Sequence, residues 1–82
     1  MSNIETLKKV KEIIVQVLNL EIDPPELEES GLIEIYGINS VDALEILINV
    51  ENEFNVQIDE DDLNAELINS VTNLSEYINA RL

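Results

Sequence analysis

Apolar residues recur at spacings of three and four near the start of the chain: Ile4, Leu7, Val10, Ile14 and Val17, with Ile13 and Leu18 alongside. Such spacing brings side chains to one face of a 3.6-residue turn, so it predicts an amphipathic helix over about residues 3–18. Ser2-x-x-Glu5 is a candidate capping box at its start. The pattern then breaks. Asp23-Pro24-Pro25 opposes helix continuation, because proline lacks the N–H donor and restricts its neighbour. Gly31 and Gly37, the only glycines, lie in the same stretch. A short helical turn at 24–29, capped by Asp23, fits inside it. Otherwise residues 19–39 read as one long connection, and connections of about 20 residues are uncommon in compact domains unless they have a function. Leu27, Leu32, Ile33, Ile35, Tyr36 and Ile38 predict that it packs down onto the core.

A second long helix is expected from Asn39 or Ser40 to about Glu53. At 100° per residue, Ala43, Ile46, Leu47, Val50 and Phe54 share one face. Val41, Leu44 and Ile48 share another, roughly opposite, flanked by Glu45, Glu51 and Asn52. A surface helix needs only the first stripe. The second is either buried by a central position in the fold or exposed for a partner, and periodicity does not separate the two. A short helix follows from Asp59 to about Glu66 or Leu67, its acids suiting the positive end of the helix dipole. The last helix carries Val71, Leu74, Ile78 and Leu82, with Tyr77 alongside and Ser70 as N-cap. The expected fold is all-α, a small four-helix bundle of three longer helices and a short third one, with a long first connection, in a single domain over residues 1–82.

Composition changes this picture by exclusion. Among 82 residues there are 18 acids and four bases, a net charge of −14, with no histidine and no cysteine. Phosphate-backbone binding needs basic side chains, so nucleic acid is not expected. Anionic membrane surfaces would repel the chain, and no apolar run has the length of a membrane span. The N-terminus lacks the layout of a signal peptide, which makes the cytoplasm the expected compartment. The charge is also uneven. Residues 1–18 hold Lys8, Lys9 and Lys11 against Glu5 and Glu12, whereas residues 40–66 hold nine acids and no base. That block either solvates the protein or attracts basic partners.

The chain carries little chemistry of its own. Without histidine or cysteine a serine nucleophile would need a lysine or carboxylate base, and nothing ties the lysines to Ser40. Asp59–Asp62 lacks the central glycine of a calcium loop, and Leu63 stands where such a loop needs an oxygen, so no metal site is expected. One position stands out. In Gly37-Ile38-Asn39-Ser40 a glycine-containing loop enters a strongly helical pattern with Asn39 as N-cap. A hydroxyl at Ser40 then lies beside free N–H groups and the helix dipole, which favour phosphate. Taken alone, a single serine in this place reads first as simply starting the helix.

The stretch Gly37-Ile38-Asn39-Ser40-Val41-Asp42-Ala43-Leu44-Glu45-Ile46 resembles the signature of acyl carrier proteins. The resemblance continues through Glu51-Asn52-Glu53-Phe54, Val56, Ile58, Val71 and Tyr77-Ile78-Asn79, and so covers nearly the whole chain. It implies that Ser40 receives 4′-phosphopantetheine from coenzyme A through a phosphopantetheinyl transferase (a holo-carrier synthase), and that acyl cargo rides on the group as a thioester. It implies a non-catalytic, monomeric carrier whose second helix meets acyl-transferring and acyl-modifying enzymes with basic docking patches. Asp42, Glu45 and Glu51 match the acidic contacts, and Val41, Leu44 and Ile48 the apolar ones. It also implies that the bundle shelters the cargo between its helices. Three departures point to a specialised member: Asn39 replaces the usual Asp before the serine, Asn52 replaces a usual acid, and the link before Val71 is about two residues longer. The Gly-Gly-His-Ser signature of peptidyl carriers is absent.

Two functions stand side by side at this level: an acyl carrier of fatty acid, lipid or polyketide-type biosynthesis, with an aminoacyl or peptidyl carrier as its variant, and an unmodified acidic adaptor for a basic partner. Both share one physical consequence. Self-repulsion destabilises so acidic a chain, so added salt should raise its melting temperature through screening. A thermal midpoint indifferent to ionic strength would contradict this.

Overall fold

A computed structural model describes residues 3–82. Five α-helices follow in order, α1 (Asn3–Leu18), α2 (Leu32–Tyr36), α3 (Ser40–Phe54), α4 (Ala65–Ile68) and α5 (Val71–Asn79), with 3₁₀ turns at Pro24–Glu26 and Glu60–Asp62. Among the described residues there is no strand, only an isolated antiparallel bridge between Ser30 and Ser70. The all-α class is as expected, with the three longer helices where the pattern puts them.

α1 packs against both α3 and α5, α4 against α5, and α2 against α4. Val10 and Ile14 of α1, Ile46 and Val50 of α3, and Val71, Leu74 and Ile78 of α5 are completely buried at the centre. The candidate capping box at Ser2 lies outside the described residues. Three residues of α1 depart from its apolar stripe. Ile4 is exposed, while Thr6 is completely buried and donates its hydroxyl to Asn79 Oδ1 at 2.7 Å, tying the start of α1 to the end of α5. Lys11 is buried as well, its Nζ 2.8 Å from Glu29 Oε2. Asn19 and Asn55 end α1 and α3 in the left-handed region, at φ 53 each. Asparagine tolerates this conformation where other non-glycine residues are strained.

The expected long connection is not a bare loop. It holds the 3₁₀ turn at Pro24–Glu26, shorter than the segment 24–29 expected, and the helix α2, which no periodicity announced. Leu27, Leu32 and Ile38 pack down as predicted, but Ile35 is exposed. The expected third helix is in fact two pieces. The acids form a 3₁₀ turn, the chain breaks at Leu63, and Asn64 restarts it by accepting the Leu67 N–H at 3.0 Å. α5 stops at Asn79, leaving Leu82 exposed beyond it rather than in the core stripe. Ser70 caps it as expected, its Oγ accepting from the Asn73 N–H at 3.1 Å.

α3 settles the question of its two stripes. Ile46, Leu47, Val50 and Phe54 are buried and Ala43 is half-buried. Val41, Leu44 and Ile48 are 68%, 57% and 45% exposed, so the second stripe faces outward. The N-cap is the one expected: Asn39 Oδ1 accepts the Asp42 N–H at 2.8 Å.

The acidic block is less uniform than the sequence indicates. Lys9 reaches Glu53 at 3.5 Å, and Arg81 reaches Asp59 and Asp62 at 3.5 Å each. Arg81 also stacks over the Tyr77 ring, 3.5 Å from its centre. The Tyr77 hydroxyl donates to Asp62 Oδ2 at 2.7 Å and accepts from the Asp59 N–H at 3.1 Å. A tyrosine and one arginine of the α5 segment therefore pin the acidic 3₁₀ turn to the bundle.

Two expectations follow. Asn39→Ala should cost about 1 kcal/mol in urea unfolding, while Asn39→Asp, an equally good cap, should leave stability nearly unchanged; equal effects would exclude the capping role. Burial, assisted by the bond to Asp62, raises the Tyr77 pKa above its ordinary 10.0, against the opposing Asp59 N–H and Arg81. A raised folded pKa stabilises fully below the unfolded value and loses that contribution as pH climbs through the folded one. Tyr77→Phe should therefore cost about 1 kcal/mol at neutral pH and flatten the alkaline fall in stability above pH 10. An identical alkaline slope in wild type and variant would refute this.

Candidate functional site

Ser40 is the first residue of α3 and is exposed. Its position follows from the local chain. Gly37, at φ 64, ends α2 in a conformation that a side chain would strain, and Ile38 is buried as an anchor. Asn39 then takes extended backbone angles and caps the helix. Of the N–H groups of the first turn, Asp42 is served by the Asn39 side chain and Ala43 by the Asn39 carbonyl at 2.9 Å. Those of Ser40 and Val41 remain at the open helix start. With the helix dipole behind them they favour an anionic group on the serine oxygen.

A groove of about 380 Å³ opens beside this serine. Ala43, Leu44 and Leu47 of α3 line it, with Asn39 and Ser40 at one end. Ile33 of α2 and Ile38 line one side; Leu63, Asn64, Ala65 and Ile68 line another. The lining is mainly aliphatic, which suits a hydrocarbon chain. The sequence reading missed these groove residues outside α3. Asn64, three positions before Leu67, is the signal that would have separated the 3₁₀ turn from α4 and so placed Ala65 and Ile68 on a wall.

The other candidate residues sit along α3. Val41, Leu44 and Ile48 form the exposed strip described above, Glu45 is exposed and Asp42 half-buried. No described base lies within ion-pair distance of Asp42, Glu45 or Glu51. Glu51 differs from the other two. It is half-buried, and its Oε2 accepts the Ile58 N–H at 2.8 Å while its carbonyl accepts the Val56 N–H at 3.2 Å. Glu51 therefore turns the chain back after α3, whatever else it touches. Leu44 belongs both to the strip and to the groove lining.

The residues present fit a phosphopantetheine group. The serine hydroxyl is accessible, the helix start offers N–H groups to a phosphodiester, and an aliphatic groove adjoins it. Nothing nearby competes as chemistry: among the described residues no group of His, Cys, Asp or Glu is arranged to hold a metal ion, and no helix is long and apolar enough to cross a membrane.

Comparison with known proteins agrees with this arrangement. Residues 8–78 match the family described as phosphopantetheine attachment site. The chain is similar to the acyl carrier protein of Buchnera aphidicola subsp. Schizaphis graminum, 33% identical over 79 residues, covering 96% of this chain and 94% of that protein. It is also similar to the acyl carrier protein of Thermotoga maritima, 35% identical over 78 residues, covering 95% and 93% respectively. With a family match over most of its length, and relatives above 30% identity aligned nearly end to end, the chain belongs to the acyl carrier protein family, the proteins with a phosphopantetheine attachment site.

Proposed function

We propose that Ser40 is the residue that bears the prosthetic group and that residues 1–82 act as one carrier unit. The chain is a carrier of acyl intermediates of fatty acid biosynthesis, and its group is a covalently attached 4′-phosphopantetheine. That group supplies the thiol on which cargo is held as a thioester, chemistry that a chain with no cysteine cannot provide. The observation that carries the assignment is the exposed hydroxyl at the Asn39-capped start of α3, with the groove beside it. Asn39 orients the first turn, the open N–H groups favour the phosphodiester, and the aliphatic lining shelters the cargo from water.

Proteins of this family work with a phosphopantetheinyl transferase and with biosynthetic enzymes. For this chain the enzymes meet the outward face of α3: Val41, Leu44 and Ile48 give apolar contact, and Asp42, Glu45 and Glu51 attract basic patches. Acids with no base beside them speed encounter and allow quick release, as a shuttle requires. The chain itself catalyses nothing, works as a monomer in the cytoplasm, and leaves bond making to its partners.

Intact mass after incubation with coenzyme A and a phosphopantetheinyl transferase should show one phosphopantetheine adduct, absent in Ser40→Ala. An adduct that survives Ser40→Ala would overturn the assignment. Glu45→Lys should slow modification and partner processing severalfold with unchanged helicity, whereas Glu51→Lys should also lower the melting temperature, because it releases Ile58. Normal processing of Glu45→Lys would remove the docking face.

A further inference from the structure

We propose that the Asn69 side chain is a latch that fixes one wall of the groove beside Ser40 against the other, and so sets the length of acyl chain that the groove protects; the part about cargo rests on the carrier reading above. α2 has five residues, far too few to be stable alone. Gly31 precedes it at φ 68 and brings no side chain to cap it. Its first two N–H groups both go to one distant residue: Leu32 N–H to the Asn69 carbonyl at 3.2 Å, and Ile33 N–H to Asn69 Oδ1 at 2.8 Å. Asn69 is at the same time the C-cap of α4, its own N–H reaching the Ala65 carbonyl at 3.0 Å. One residue thus joins the start of α2 to the end of α4.

Both ends of this link lie at the groove. Ile33, whose N–H is held, lines one side, and Ile68, the residue before Asn69, lines another. The backbone bond from Leu32 survives any substitution at 69; only the bond from Ile33 depends on the side chain. The far end of α2 is held separately: the Tyr36 hydroxyl accepts the Glu28 N–H at 3.0 Å, and buried Ile38 donates its N–H to the Ile33 carbonyl at 3.2 Å. Asn69 Oδ1 therefore supplies the side-chain part of the tie between the start of α2 and the end of α4, and with it sets how closely the Ile33 wall of the groove is held. The occupant that responds is the chain's own acyl cargo, because the lining is aliphatic and Ser40 sits beside it.

The test has two arms on the full-length protein. In the unmodified protein, amide hydrogen exchange at Ile33 should accelerate about fivefold or more in Asn69→Ala, as expected for a lost hydrogen bond, and stay near wild type in Asn69→Asp, which keeps an acceptor. In protein loaded with saturated acyl chains of increasing length, protection of the thioester from hydroxylamine should reach a limit in wild type. That limit should shift to longer chains in Asn69→Ala and return in Asn69→Asp. Should Asn69→Ala not fold, Asn69→Ser, whose hydroxyl is too short to span the gap, is read the same way. Unchanged exchange at Ile33 overturns the latch. Faster exchange with an unshifted length limit overturns its control of cargo and leaves Asn69 merely structural. Failure to load Ser40 would sink the carrier reading alone, and the exchange arm would still decide the latch.

Discussion

The burial of α1 between α3 and α5 is the contact on which the rest of the molecule depends. Val10 and Ile14 lie at the centre with Ile46, Val50, Leu74 and Ile78, all completely inaccessible. Closing that interface fixes the rotation of α3 about its axis. Once Ile46, Leu47, Val50 and Phe54 point inward, Val41, Leu44 and Ile48 have nowhere to go but out, and Ser40 starts the helix at the surface. The core therefore orients the face proposed to meet other proteins, although none of its central residues touches that face. In so small a domain there is little further apolar area to do this job.

Strong acidity constrains how the periphery is fastened. Four bases serve a chain with 18 acids, and three of the four act as clamps between segments rather than as surface decoration. Lys11 holds the first connection to α1 through Glu29, Lys9 bridges α1 to the end of α3, and Arg81 gathers Asp59 and Asp62 onto Tyr77. Where no cation is at hand, backbone N–H groups and asparagine side chains take over, as at Glu51 with Ile58 and at Asn69 with Ile33. Asp42 and Glu45 on α3 are among the acids that no described base reaches.

How much of this was legible follows from where the information lies. The long helices and the cap at Asn39 were readable because apolar spacing and capping chemistry are local. The residue proposed for attachment was marked by a cap next to a glycine-containing loop, and family resemblance supplied its chemistry. α2 was not readable, because five residues cannot display a period and its hydrogen bonds come from Asn69, far along the chain. Ile4 and Leu82 were assigned to apolar stripes by spacing, yet Ile4 lies at the exposed start of α1 and Leu82 beyond the end of α5. The two faces of α3 were visible from the start; which was buried depended on α1, and no local pattern contains that answer. The groove was hidden for the same reason, since its walls come from three separate segments.

Glu51 has a consequence for how such a carrier can diversify. Its carbonyl holds the Val56 N–H whatever the side chain, but its carboxylate holds the Ile58 N–H, so substitutions there loosen the turn after α3 before they alter any partner. Asp42 and Glu45 carry no comparable tie to a distant segment. If related carriers come to discriminate among enzymes by drift at single positions, the exposed front of α3 is where that drift is tolerated, and Glu51 is a fixed point around which it occurs. The folding requirement thus partitions the acidic surface into positions that selection can explore and one that it has to keep.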